Sequence, residues 1–203
     1  MRVAIIDYQA GNLTSVQRAL HHLGCDADVT ADPATVCAAD RVIFPGVGAA
    51  AACMANLRRA DLDAALRSVI ASGKPVLGIC IGMQLLFDSS EEDNDTACLG
   101  LIPGAVRRFR PDDAAIKVPH MGWNAVRWQS GEPLAAGIAD DSHFYFVHSY
   151  HCVPAPGVTT IASSDHGVPF CAGVRCGNLV AVQFHPEKSG PVGLQLLRNF
   201  LIA

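Results

Sequence analysis

The chain has 203 residues, and 15 Lys and Arg against 19 Asp and Glu give a formal net charge of −4, with half of the residues apolar. Domains average about 150 residues and α/β domains often reach 250, so this length fits one domain over 1–203 and excludes a second catalytic domain. The apolar fraction excludes intrinsic disorder, and the mild negative charge gives no electrostatic reason to bind nucleic acid or an anionic membrane. The composition is compatible with binding of small neutral or cationic ligands and of protein partners.

The N-terminal segment lacks the features of a secretion signal. Its apolar run covers only residues 3–6, whereas the core of a signal peptide needs about 7 to 15 apolar residues. The most apolar stretches of the chain are interrupted by Gly, Pro and Gln before they reach the roughly 18 residues of a membrane span. We therefore predict a soluble, cytoplasmic protein that does not bind membranes.

Eight cysteines are many for a chain of this length, but none forms a C-x-x-C pair or a zinc-finger spacing with histidine. The seven histidines other than His185 show no spacing typical of metal ligands either. We predict that most of the cysteines are small buried thiols and that the protein holds no metal.

The first predicted elements alternate between strands and helices. Apolar runs typical of strands cover 2–7, 27–30, 41–44 and 74–79. Apolar residues recur at helical spacing over 13–23, where Gly24 supplies a left-handed cap, and again over 62–70. The alanine run over 49–52 is interpreted as a helix start. Strands that alternate with helices predict an α/β fold with a central, mainly parallel or mixed sheet covered by helices on both faces.

From about Val106 the pattern changes to short β-rich runs joined mainly by turns. These runs cover 124–128, 143–150, 159–162, 170–175 and 179–184. They predict antiparallel hairpins, and hence a small additional hairpin sheet. The last helix is predicted over 190–202, and 91–95 is interpreted as a solvated loop.

The pentapeptide G-I-C-I-G at 78–82 follows a predicted strand and opens an apolar stretch, which is the context of a nucleophile elbow with Cys in place of Ser. Glycines two residues before and after the nucleophile avoid collisions of a Cβ with backbone in such a sharp turn. The N-terminus of a following helix would favour the thiolate of Cys80. A buried cysteine in a glycine-flanked turn is the alternative.

The tripeptide His185-Pro186-Glu187 comes directly after the last predicted strand. Proline disfavours the helical conformation of the residue before it, so His185 and Glu187 are predicted to lie in an extended segment and to face the same way. The carboxylate can then hold the imidazole, which gives a general base and the group that orients it. A structural histidine and a surface carboxylate remain the alternatives.

The sequence F-P-G-V-G at 44–48 also ends an apolar run. Its two glycines allow backbone N–H groups to face a ligand, and together with the N–H of Ile81 they would form an oxyanion hole. A tight turn explains the motif equally well.

Taken together, P-G-V-G, G-I-C-I-G-M-Q and F-H-P-E-K-S resemble the class I glutamine amidotransferase family, whose fold is flavodoxin-like, over essentially the whole chain. The longer motifs K-V-P-H-M-G-W-N at 117–124 and Y-F-V-H-S-Y at 145–150 resemble the glutaminase subunits of imidazole glycerol phosphate synthases. Residues 9–10 and Ala50 depart from the family pattern near the supposed partner face and oxyanion loop.

The resemblance implies that Cys80 attacks the side-chain amide of glutamine, that His185 transfers the proton and that Glu187 orients His185. The residues that it implies for oxyanion contacts are Val47, Gly48 and Ile81. Those implied for binding glutamine are Gln84, Glu92, Ser149 and Tyr150. Those implied to face a partner subunit are Asn12, Trp123, Tyr145 and Lys188.

The resemblance also implies that ammonia passes to a (β/α)8-barrel cyclase subunit in a heterodimer. The cyclase would use this ammonia to form imidazole glycerol phosphate and aminoimidazole carboxamide ribotide in histidine biosynthesis, and the glutaminase would need no metal or organic cofactor. Two alternatives stay open: a catalytically silent regulatory or scaffold subunit with the same fold, and a cysteine hydrolase that acts on another amide or ester.

Overall fold

The computed structural model describes residues 1–113 and 115–202. The strands are β1 (Val3–Ile6), β2 (Ala27–Thr30), β3 (Arg41–Phe44), β4 (Val76–Ile79), β5 (Ser89–Ser90), β6 (Thr96–Ala97), β7 (Gly104–Arg108), β8 (His120–Trp128), β9 (Ser142–His148), β10 (Tyr150–Pro154), β11 (Thr159–Asp165), β12 (Pro169–Cys176) and β13 (Leu179–Val182). The helices are α1 (Leu13–His22), α2 (Pro33–Ala38), α3 (Ala50–Arg59), α4 (Leu62–Ala71), α5 (Ile81–Gln84), α6 (Glu92–Asp95) and α7 (Gly190–Ile202), with single 3-10 turns at Pro133–Ala135 and Pro186–Lys188.

The predicted α/β fold is confirmed. The main path of the sheet runs β2-β1-β3-β4-β13-β12-β10-β7-β5-β6. The strands from β2 to β13 along this path are parallel, and β12 then pairs antiparallel with β13. The carboxyl ends of the parallel strands therefore lie along one edge of the sheet, where β3, β4 and β13 lead into the three motifs.

Alternate residues of the parallel strands enter two separate hydrophobic clusters, one on each face of the sheet. Ile6 and Phe44 pack with Leu57 and Leu66 of α3 and α4 on one face. Ile5 and Ile43 pack on the other face, in the cluster that includes Leu20 of α1 and Leu197 of α7. Because both faces are covered, β1 and β4 are buried along their whole length.

The predicted hairpins are present, but they do not form an isolated sheet. Strands β8 and β9 pair antiparallel over His120–Val126 and Ser142–His148. Strand β11 pairs with both β8 and β12, so the hairpin is continuous with the main sheet. The expected strand over 143–150 is interrupted at Ser149, which separates β9 from β10.

Some elements differ from the sequence expectation. Helix α2 was not predicted; it is short, and the Asp32 side chain caps it by accepting from the N–H groups of Ala34 and Thr35. The segment between β3 and β4 holds two helices: α4 covers the stretch predicted over 62–70, and α3 begins at Ala50, within the 49–52 run interpreted as a helix start. Helix α7 has the predicted bounds. None of the helices in residues 1–113 and 115–202 combines the length and the apolar character that a membrane span requires.

Candidate active site

Cys80 lies in the sharp turn between β4 and α5. Its backbone has φ 55° and ψ −111°, a conformation that non-glycine residues rarely adopt and that concentrates at functional sites. A Cβ on Gly82 would overlap the carbonyl oxygen of Phe44, and one on Gly78 would lie 3.0 Å from Ala181 Cβ. The close approaches predicted for the two glycines are therefore present.

The apolar stretch after Cys80 does not form the helix that the sequence suggested. Helix α5 has only four residues, because the chain turns away after Gln84. Cys80 therefore lies at a helix N-terminus as predicted, but the helix is a single turn and its dipole is correspondingly small. Ile81 remains the first residue of this turn, so its N–H has no acceptor within the helix and is open to a ligand.

His185 and Glu187 are in contact, although the chain between them is not fully extended. His185 is extended, but Glu187 lies in the 3-10 turn Pro186–Lys188, which corrects the expected geometry. The Nδ1 atom of His185 is 2.7 Å from Oε1 of Glu187, and both side chains are fully buried. The Nδ2 atom of Asn12 donates to the same Oε1 at 2.6 Å.

The electrostatics of this group favour a charged imidazole. Burial alone would lower the pKa of His185, but the neighbouring Cys80 and Glu187 outweigh burial and raise the pKa to about 10. The Nε2 atom of His185 is buried without a hydrogen-bond partner. Because Glu187 occupies Nδ1, Nε2 is the ring nitrogen that remains to exchange a proton with the sulfur.

A cavity of about 350 Å³ opens in front of Cys80. Its lining includes all the residues predicted for oxyanion and glutamine contacts: Val47, Gly48, Ile81, Gln84, Glu92, Ser149 and Tyr150. The sequence did not single out Pro119 and Val147, which also line it. The cavity is large enough for an amino-acid side chain and its backbone groups, and the sulfur forms part of its wall.

The P-G-V-G loop is hydrogen-bonded to the loop after β1. The Tyr8 hydroxyl donates to the Pro45 carbonyl at 2.8 Å, and a Cβ on Gly46 would overlap that hydroxyl. The N–H of Val47 donates to the Ala10 carbonyl at 2.8 Å. The expected oxyanion contact from Val47 is therefore not available in this conformation.

The 91–95 segment is not simply the solvated loop that was expected. Glu92 is half-buried, and its Oε2 accepts a hydrogen bond of 2.9 Å from the N–H of Ala50 at the start of α3. Burial raises the pKa of the Glu92 carboxyl, while the hydrogen bond from Ala50 opposes that rise. The residues that follow, 93–95, all have left-handed φ angles, which turn the chain back and leave Glu92 at the cavity wall.

Sequence reasoning missed two features beside the cavity. Gln183 is fully buried between Gln84 and the Cys80 sulfur, and the only signal was a polar residue at the end of an apolar run. His120 and His148 are paired at 3.0 Å between Nδ1 and Nε2. These two histidines are 28 residues apart, so no local spacing could have indicated the pair.

The predicted partner-facing residues divide into two groups. Trp123 is 56% exposed and packs edge-on against Tyr145, with Lys188 above the Tyr145 ring. These three side chains form one surface, extended by the exposed Met121. Asn12 differs, because its amide is bonded to Glu187.

No group of three or more His, Cys, Asp or Glu side chains suited to a metal ion occurs in residues 1–113 and 115–202.

The chain matches known proteins over nearly its whole length. The family model for Glutamine amidotransferase class-I matches residues 4–203. The imidazole glycerol phosphate synthase subunit HisH of Moorella thermoacetica is 51% identical over 198 residues, which cover 98% of this chain and 93% of that protein. The same subunit of Chromobacterium violaceum is 51% identical over 208 residues, which cover 99% and 97%.

A solved glutamine amidotransferase from Thermotoga maritima has a TM-score of 0.68 at 16% identity and covers 100% of this chain and 83% of that chain. This likeness concerns the fold alone. The chain therefore belongs to the class I glutamine amidotransferase family, and within it to the imidazole glycerol phosphate synthase subunits HisH.

Proposed function

We propose that this chain, as one glutamine amidotransferase domain over 1–203, is the glutaminase subunit of an imidazole glycerol phosphate synthase in histidine biosynthesis. It hydrolyses glutamine to glutamate and ammonia. The observation that supports this best is the cavity with the Cys80 sulfur in its wall, next to the buried pair of His185 and Glu187.

The proposed reaction begins from a Cys80 thiolate and a His185 imidazolium, because the raised pKa of His185 keeps the thiol proton on its Nε2 atom. The thiolate attacks the side-chain carbonyl carbon of glutamine, and the carbonyl oxygen becomes an oxyanion that backbone N–H groups stabilise. The imidazolium returns its proton to the amide nitrogen, so the C–N bond breaks and ammonia leaves a thioester. Water then attacks the thioester as neutral His185 takes its proton, and the C–S bond breaks to release glutamate and to restore the thiolate and the imidazolium.

Glutamine binding is assigned to side chains around the cavity. Gln84 and Glu92 lie on one side of it, and Ser149 and Tyr150 lie at the break between β9 and β10. Ile81 and Gly48 supply the oxyanion contacts. Val47 can join them only after its N–H leaves the Ala10 carbonyl, so full activity requires the P-G-V-G loop to rearrange.

The HisH relatives are named as subunits, so a partner subunit is implied. The partner proposed here is a (β/α)8-barrel cyclase that forms a heterodimer with this chain in the cytoplasm. Ammonia released into neutral water becomes ammonium and loses its nucleophilic lone pair, so direct transfer to an acceptor site is needed. The surface formed by Trp123, Tyr145 and Lys188 is assigned to this contact.

The test is glutamate release from glutamine by the chain with and without the cyclase. Cys80→Ala should lower this rate by about 10³-fold or more, because the nucleophile is removed. Cys176→Ala, at an exposed cysteine, is the matched control and should retain activity. The Cys80→Ala complex should still form product from added ammonium salts, because only the source of ammonia is lost.

Substantial glutamate release by Cys80→Ala would contradict the covalent mechanism. If the cyclase did not increase glutamate release by the wild-type chain, the proposed partner would be rejected.

A further inference from the structure

The backbone carbonyl of Tyr150 fixes the orientation of the polar side chains behind the cavity. A carbonyl oxygen can only accept, and this one has two neighbours: Nδ1 of His148 at 2.7 Å and the Gln84 amide at 2.9 Å. Both neighbours must therefore donate. Two donors use both lone pairs of the oxygen, so the Gln84 amide is held with its nitrogen towards Tyr150.

The orientation of Gln84 determines that of Gln183. The same Gln84 nitrogen lies 3.0 Å from the side-chain amide of Gln183, so Gln183 must present its oxygen to Gln84. The Gln183 nitrogen then faces the sulfur of Cys80 at 3.8 Å, within hydrogen-bond distance for sulfur. The Gln183 N–H therefore points to the sulfur because the Tyr150 carbonyl oxygen, at the start of this chain of hydrogen bonds, can only accept.

The position of Gln183 is also fixed by its backbone and its burial. Its N–H donates to the Ala172 carbonyl at 2.9 Å, which extends the pairing of β13 with β12 by one residue. Its side chain has no solvent exposure. Gln183 is two residues before His185, so the strand end that delivers the imidazole also delivers an amide donor to the sulfur.

We propose that Gln183 is a positioning residue for the nucleophile: its side-chain N–H donates to the Cys80 sulfur and stabilises negative charge there. This inference rests on the proposed function. A thiolate accepts such a bond better than a neutral thiol or a thioester does, because hydrogen bonds to charged groups are the stronger ones. The contact favours formation of the thiolate, and it favours the thiolate again when the thioester breaks down.

Two substitutions separate this role from simple packing. Gln183→Glu keeps the shape and an acceptor for Gln84, but it removes the N–H and places an acceptor beside the sulfur. Gln183→Met keeps similar bulk and removes both polar contacts. The matched control is Gln195→Met, which changes a partly buried glutamine of α7 that bonds to Asn199.

The first readout is alkylation of Cys80 by iodoacetamide as a function of pH, measured on the Cys80 peptide by mass spectrometry. The titratable groups coupled electrostatically to Cys80 are His185, Tyr8, Cys53 and Cys152, and none of them is changed. Gln183→Glu should move the pH of half-maximal alkylation upwards by at least about one unit, because it removes a hydrogen bond to a charged group and places a carboxyl group, a like charge when ionised, beside the sulfur. Gln183→Met should cause a smaller shift in the same direction, and Gln195→Met should cause none.

The second readout is glutamine hydrolysis by the complex. Gln183→Glu should lower kcat at least about tenfold while KM changes little, because Gln183 does not line the cavity. Circular dichroism establishes that each variant is folded, and Gln183→Glu remains informative if Gln183→Met does not fold. Wild-type alkylation profiles in both Gln183 variants would overturn the proposal.

Alkylation requires neither glutamine nor the partner, so the two proposals can fail separately. If the wild type hydrolyses glutamine but the alkylation profile of Gln183→Glu is unchanged, only the role of Gln183 is rejected. If the profile shifts but the wild type does not hydrolyse glutamine, only the proposed function is rejected.

Discussion

Asn12 connects the loop after β1 to the buried carboxylate behind the active site. Its Nδ2 donates to Glu187 at 2.6 Å and lies 3.5 Å from the ring of His185. The resemblance implied a partner contact at this position. In this structure the Asn12 amide is a second hydrogen-bond partner, besides His185, of the carboxylate that orients the imidazole.

Replacing Asn12 by glycine isolates this hydrogen bond. Asn12 has φ 62°, which glycine adopts without strain, so Asn12→Gly removes the amide with little effect on the backbone. We expect kcat for glutamine hydrolysis to fall at least about tenfold, because hydrogen bonds to charged groups contribute about 1.5 to 3 kcal/mol. KM should change little.

The control for this prediction is Gln9→Gly, an exposed residue of the same loop with φ 65°. It should leave kcat unchanged. If Asn12→Gly weakened binding of the cyclase while kcat stayed at the wild-type value, the partner-facing role would be the correct one.

At the scale of elements, the elbow depends on how closely α5 approaches β3. A Cβ on Gly82 would overlap the Phe44 carbonyl, which is backbone and cannot rotate away. A Cβ on Gly78 would meet Ala181 Cβ and Leu86 Cδ1, each at 3.0 Å, and the leucine side chain can adjust. A methyl group at Gly82 would therefore have to displace backbone, whereas one at Gly78 would mainly displace side chains.

Alanine substitutions at the two positions should differ in the same order. Gly82→Ala should lower the free energy of unfolding by about 3 kcal/mol or more, because the backbone of β3 or α5 must move. Gly78→Ala should cost about 1 to 2 kcal/mol, as overpacking of a core usually does. Urea unfolding measures both, and a larger loss for Gly78→Ala would show that the elbow can relax at Gly82.

For the whole molecule, stability in weak acid depends on buried neutral histidines. Burial lowers the pKa of His148 to about 3 and that of His120 to about 4, with a further lowering at both from other histidines. Unfolded histidine has a pKa of about 6.5, so the unfolded chain binds more protons between this value and the lowered ones. Stability must then fall as pH decreases below about 6.5.

His185 acts in the opposite direction. Its pKa is raised to about 10, so its contribution to stability is complete below about 6.5 and is lost as pH rises towards 10. Carboxylates titrate mainly below about pH 4.5. Glu92 is the exception, because burial raises its pKa, and its protonation as pH falls would stabilise the folded chain. A loss of stability between pH 6.5 and 5 is therefore assigned to the histidines that are held neutral.

We expect the melting temperature to fall between pH 6.5 and 5, and His148→Gln to reduce this slope. Glutamine can still donate to the Tyr150 carbonyl but does not titrate. Thermal unfolding followed by circular dichroism over this interval measures the effect. The matched control is His22→Gln on the exposed end of α1, which should keep the wild-type slope. An unchanged slope in His148→Gln would show that His148 does not cause the loss.

The exposed surface of β8 and β9 provides a test of assembly. Trp123→Ala should weaken binding of the cyclase by about 2 kcal/mol, or roughly thirtyfold, because exposed tryptophans that anchor an interface contribute this much. The melting temperature of the isolated chain should stay the same. Val29→Ala, at an exposed apolar residue of β2, is the control. Titration calorimetry measures both affinities, and equal values would remove Trp123 from the interface.

The sequence by itself determined the fold class and the family, because apolar periodicity and short motifs are local properties of the chain. It also selected Cys80, His185 and Glu187, since glycine and proline constrain the backbone within a few residues of each. It did not give the length of α5 or the point at which α3 ends, because these depend on how each segment packs against the rest of the chain.

Only the tertiary structure decided which distant groups meet at the active site. Three contacts join residues that are far apart in sequence. They are the hydrogen bond from Val47 to Ala10, the contact of Asn12 with Glu187 and that of Gln183 with the Cys80 sulfur. Hydrogen bonds act over about 3 to 4 Å, so they depend on the register and close packing of strands and loops. The order of residue types along the chain does not specify the register of strands and loops, so these contacts could not be predicted from it.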